Sequence, residues 1–102
     1  MFIVKAPETI PATLTIQGQG REQKLKLVYR HYTREARADL LEQLQKGDIT
    51  PPALVMKLVE SWEADVELDT AGITLVMEHQ PGIEWAIIHG YNDALTVTRK
   101  GN

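Results

Sequence analysis

The sequence predicts an α+β fold: an N-terminal antiparallel β-hairpin, room for a third short strand, and then about four helices that make the chain mostly α. Three observations carry this. Two apolar/polar alternating runs, 12–16 and 24–30, flank a glycine-bearing stretch. From Thr33 onward the apolar residues recur every three or four positions instead of every two. Breaks at Lys46-Gly47, Thr50-Pro51 and Pro81-Gly82 then divide the remainder into helix-sized pieces.

Residues 1–11 hold a short β-prone piece, Phe2-Ile3-Val4, with Pro7 and Pro11 after it. Proline confines any strand there to a sheet edge or ends it. In Ala12-Thr13-Leu14-Thr15-Ile16 the period of two puts Ala12, Leu14 and Ile16 on one face. Gln17 to Glu22, with Gly18 and Gly20, reads as a turn or flexible loop. The second run turns Leu25, Leu27 and Tyr29 inward and Lys24, Lys26 and Arg30 outward. A lone hairpin is marginal in water, so its apolar face must lie on the helices.

Thr33 is placed to cap a first helix with Glu35 in the first turn. Its stripe is Ala36, Leu40, Leu41 and Leu44, and it stops at Lys46-Gly47. Thr50 and Pro51 open a second helix as cap and first residue, with Leu54, Val55, Leu58, Val59 and Trp62 as its apolar face. An acidic connector, 63–69, precedes Thr70, a candidate cap for a short helix from Ala71 to His79. Ile73-Thr74-Leu75-Val76-Met77 fits strand and helix periods about equally. Pro81 suits the first position of a terminal helix with the stripe Ile83, Ile87, Tyr91, Ala94 and Leu95, running to Arg99-Lys100 and Gly101. With 102 residues a single domain is expected, 1–32 forming its β part and 33–102 its helical part.

The chain has no cysteine, which removes disulfides, thiolate catalysis and cysteine-based zinc sites. No apolar run approaches a membrane span, and the start lacks a signal peptide's apolar centre, so a soluble intracellular protein is expected. Residues 1–46 carry eight Lys/Arg against five Asp/Glu, or +3; residues 47–102 carry three against nine, or −6. The acidic half argues against nucleic-acid binding, and the polarity is compatible with head-to-tail self-association.

Chemistry-bearing constellations are missing. Gly18-Gln19-Gly20 lies between two strands, whereas a phosphate loop must open a helix. His31, His79 and His89 have no metal spacing, and the acids Glu60, Glu63, Asp65, Glu67 and Asp69 lack a calcium loop's rhythm. A helix-turn-helix over 33–62 would leave Lys57 as the lone cation of its recognition helix, too few for reading bases. No nucleophile–base arrangement is suggested, so no catalytic, cofactor-binding or metal-binding residue is assigned. The candidates for partner contact are Trp62, Trp85, His89 and Tyr91. Core packing is the first reading for Trp62, whereas Trp85 falls off the stripe of its helix and so faces solvent or a partner.

The pattern Ser61-Trp62-Glu63, an acidic linker, a short helix, then Pro81-Gly82, Ala86-Ile87, Tyr91, Ala94-Leu95 and a terminal Asn102 resembles the small tail assembly chaperones of long-tailed bacteriophages and prophages. The match covers mainly residues 54–102, and residues 73–77 are more β-branched than that family's short helix. The resemblance implies a non-enzymatic protein without a cofactor. Its partners would be the tape measure protein and, beside it, the tail tube protein. It implies action in the bacterial host cytoplasm, absence from the finished virion, and in many relatives a frameshifted longer product. The alternatives are another tail structural or completion protein and, further off, a small nucleic-acid-binding regulator.

Overall fold

The computed structural model describes residues 1–101; the terminal Asn102 of the motif lies outside the described residues. Three antiparallel strands and four helices follow one another as β1 (Thr9–Gly18), β2 (Arg21–Arg30), α1 (Arg34–Lys46), α2 (Pro51–Leu58), β3 (Val59–Trp62), α3 (Thr70–His79) and α4 (Ile83–Leu95). The sheet order is β1-β2-β3. The fold is α+β, as the change of apolar period at Thr33 predicts.

The hairpin is longer and its turn tighter than the glycine-bearing stretch suggests. Gly18 pairs with Arg21, leaving only Gln19 and Gly20 in the loop. Both have positive φ, 57° and 77°, which is the primed turn whose twist matches the flanking strands. Pro11 sits inside β1 opposite Val28, where the missing N–H costs nothing because β1 is an edge strand. One face of the hairpin carries Ile10, Ala12, Leu14 and Ile16 across from Tyr29, Leu27, Leu25 and Gln23. That apolar face is the one the helices cover.

The third strand is β3, not the β-prone Phe2-Ile3-Val4, which is exposed and outside the sheet. The second helix therefore stops at Leu58, four residues short of the predicted Trp62. The termination has a visible cause. Arg30 Nη1 donates to the carbonyls of Met56, Lys57 and Val59 at 2.9, 3.2 and 3.2 Å. Tyr32 Oη donates to the Lys57 carbonyl at 2.8 Å. The carbonyls that a longer helix would have bonded internally are thus taken by side chains at the end of β2. Val59 opposes Tyr29 and Ser61 opposes Val28, so Glu60 is a bulged extra residue. The bulge lets both Val59 and Trp62 face inward, three apart though they are.

Thr33 and Thr50 cap α1 and α2 as predicted, each accepting from the amide three residues on at 3.3 Å. Residues 70–79 resolve to helix. Its cap is Asp69, whose Oδ1 accepts from Gly72 N at 2.7 Å, rather than Thr70, which is already helical. Pro81 lies in the turn before α4, and Gly82, with φ 96°, takes the cap position instead. The terminal helix ends at Leu95, not at Arg99-Lys100. There Thr96 turns extended, and its hydroxyl takes the Asn92 carbonyl at 2.7 Å, as β-branched Thr96-Val97-Thr98 favours.

The core gathers Leu27 and Tyr29 from the sheet, Leu54, Val55 and Leu58 from α2, Ile73 from α3, and Ile83, Ile87 and Tyr91 from α4. Burying each such side chain contributes roughly 1.5–3 kcal/mol. Helix α4 approaches the hairpin through Gly90, where a Cβ would lie 2.7 Å from Leu14 Cδ2 and 2.9 Å from Tyr29 Oη.

Candidate functional site

The apolar stripe of α4 does two jobs at once. Ile83, Ile87 and Tyr91 enter the core, while Ile88 and Asn92, turned away from that stripe, look toward α1 and α2. Between these helices opens a groove of about 220 Å³. Leu54 and Leu58 of α2 line its buried part, Leu40, Leu41 and Ala38 of α1 one wall, and Ile88 and Tyr91 of α4 the other. The opening exists because α1 contributes a stripe wider than α2 can cover: Leu40 is buried, yet Leu41 stays 49% exposed.

The edge of this groove is cationic. Arg34 and Arg37, on the first turns of α1, both line it. Neither makes an ion pair among the described residues, where the surface pair Lys46–Glu42 is the one salt bridge. The Nε of Arg37 is buried without a hydrogen-bond partner. The same guanidinium acts on Tyr91: burial raises that phenol above its usual range, while the hydrogen bond from Tyr32 N and the charge of Arg37 oppose the rise.

The four sequence candidates separate in space. Tyr91 is a core residue; its hydroxyl donates to the Arg30 carbonyl at 2.9 Å and accepts from Tyr32 N at 3.0 Å. It also packs edge-on against Tyr29, with ring centroids 5.1 Å apart at 74°. Tyr91 therefore shapes the groove wall from behind. Trp62 is half-buried in β3, packed against the core on the sheet's apolar face, and its indole N–H donates to the Val66 carbonyl at 2.9 Å. It closes the acidic connector into a loop. His89 is exposed on α4 beside β1, over Ala12, Thr13 and Leu14. Trp85 is 44% exposed, and seven residues before Asn92 it shares that residue's line along α4. It lies about one helical turn before Ile88, beyond the residues that line the groove. Ile88, Arg34 and Arg37 were not among the sequence candidates, and Leu41, read there only as part of the α1 stripe, also lines the groove. Two arginines three apart beside Leu41, on a stripe with one apolar residue to spare, were the available signal.

Among the described residues no His, Asp and Glu cluster is arranged to hold a metal, and no helix is long and apolar enough to cross a membrane. The site is an apolar trough beside two cations.

Along its whole length, residues 1–102, the chain matches the family described as phage tail assembly chaperone. The chain belongs to the phage tail assembly chaperones. No curated protein and no solved structure matches it. The family match extends over the hairpin as well as the helices, so both walls of this chaperone's core, sheet and helical, belong to the family domain. A chaperone of tail assembly acts on protein partners.

Proposed function

We propose that this chaperone binds the tape measure protein, keeps that long helical client soluble, and assists assembly of tail tube subunits around it. Membership of the tail assembly chaperone family is the observation that carries the reading. The open trough between α1, α2 and α4 supports it, because an amphipathic helical client exposes an apolar stripe that needs temporary cover. The role is non-catalytic, and binding must be reversible if the client is to be handed on. The half-exposed Leu41 at the trough is suited to that, since its partial burial keeps the contact modest. On this reading the protein works in the bacterial host cytoplasm and is left behind when the virion is finished.

The test is co-expression with the tape measure protein encoded in the same genome. The expected result is a soluble complex that copurifies, with the client insoluble when expressed alone. A client equally insoluble with and without the chaperone, and no complex recovered, overturns the reading. Detection of the chain in purified virions overturns the part that concerns its departure.

A further inference from the structure

The trough has a chemistry more specific than apolar. Its floor and walls are Leu54, Leu58, Leu41 and Ile88, and a volume of about 220 Å³ has room for one or two large aliphatic side chains and no more. On one side only, α1 sets Arg34 and Arg37 at i and i+3, so both stand on the same helical face. Both lack a carboxylate partner among the described residues, and the Arg37 Nε is buried and unsatisfied. A purely aliphatic occupant would strip water from the outer guanidinium nitrogens of the pair without giving them a partner, which is costly. An occupant bringing a carboxylate beside its apolar anchor would pair with those outer nitrogens through charge-assisted hydrogen bonds.

We propose that the trough between α1, α2 and α4 docks an amphipathic helix of the client by an aliphatic anchor flanked, on one side, by glutamate or aspartate that pairs with Arg34 and Arg37. This deepens the proposed function and rests on it for the identity of the client, while the site itself rests on the geometry. A helix presents its anchor and an acid three or four residues away on one face, the spacing the one-sided arginine pair calls for. The chain's own exposed apolar segment, Met1-Phe2-Ile3-Val4, is the competing occupant within reach of a second copy. It is followed by Lys5, so a like charge would meet Arg34 and Arg37.

Two fluorescein-labelled helical peptides test this on the full chain. Both carry the same leucine stripe; one has flanking glutamates and its twin has lysines. At low ionic strength the glutamate peptide should bind about tenfold tighter than the twin, and the gap should shrink as salt rises. Leu41→Glu, at a half-exposed position, should weaken the glutamate peptide about tenfold. Arg37→Glu should reverse the preference between the twins, and Arg34→Glu, on the exposed start of α1, supplies the same reading should Arg37→Glu not fold by circular dichroism. Equal affinity for the twins, or unchanged affinity in Leu41→Glu, overturns the proposal. So does a groove variant that alters only self-association in sedimentation, which would assign the trough to a second copy. In parallel, the co-expressed tape measure protein is recovered with wild type and with Leu41→Glu. A client held equally by both overturns the groove and leaves the proposed function standing. A glutamate peptide bound in the groove with no client held by wild type does the reverse.

Discussion

The hydroxyl of Tyr91 lies 2.9 Å from the carbonyl oxygen of Arg30 and donates to it, while the amide of Tyr32 donates back to the same hydroxyl at 3.0 Å. One phenol therefore pins the terminal helix to the last residue of β2 and to the segment leading into α1. The same Arg30 holds the carbonyls at the end of α2. Three elements that wall the trough are thus fixed from a single corner.

Tyr91→Phe removes the donor and leaves the Arg30 carbonyl and Tyr32 amide without their partner. A loss of about 1–2 kcal/mol is expected, read from the urea midpoint at unchanged slope. Binding at the trough should weaken less than for Leu41→Glu, because Tyr91 acts by holding the wall. An unchanged midpoint would show that water replaces the hydroxyl without loss.

Alkaline pH should destabilise the fold. Burial, reinforced by the charge of Asp93 and by Tyr91, holds the Tyr29 phenol neutral well above its usual range, and burial does the same for Tyr91. A raised pKa in the folded state means that the unfolded chain loses its protons first. The stabilisation is fully present below about pH 10, where an unperturbed tyrosine ionises, and falls as pH rises beyond it. Urea midpoints measured across that range should decline, and the decline should flatten in a Tyr29→Phe, Tyr91→Phe double variant.

Gly90→Ala should cost about 1–3 kcal/mol, since the new Cβ meets Leu14 and the Tyr29 hydroxyl and forces α4 off the hairpin. Thermal unfolding reads this directly. A neutral result would mean that Leu14 swings aside freely.

Trp85→Ala should leave stability within about 0.5 kcal/mol, as for exposed positions in general, while reducing recovery of the co-expressed client. Cooperative unfolding at markedly lower urea, with client recovery unchanged per folded molecule, would place Trp85 in structural support instead.

Much of this was legible in the residues. Alternation at 12–16 and 24–30 located both strands and their faces, because a period of two has no other reading. Thr33, Thr50 and Gly47 marked helix ends for the same reason: their chemistry is local. What stayed hidden depended on distant groups. Residues 59–62 continue the helical stripe of Leu54 and Leu58, and only Arg30 and Tyr32, about thirty positions away, divert them into a strand. Thr70 and Asp69 are both competent caps, and Asp69 prevails where Gly72 packs so tightly on the Glu67 carbonyl that no Cβ fits. The exposure of Trp85 was legible from its place off the stripe. Tyr91 lay on the stripe and is core, as periodicity implies. The trough itself required knowing that α2 covers Leu40 and not Leu41, a matter of how helices cross that no single segment encodes.

The direct passage from α2 into β3 has a consequence for how the chain tolerates insertions and deletions. Leu58 is the last helical residue and Val59 the first of the strand, so no slack separates them. One residue added there would send Val59 and Trp62 to the wrong faces of the sheet and draw the α2 carbonyls away from Arg30. The hairpin tip has little freedom either, since Gln19 Nε2 is tied to the His79 carbonyl at 2.7 Å. Changes in length are best absorbed in residues 1–7 ahead of the sheet. Those are the positions for a tag or spectroscopic label that leaves the trough undisturbed.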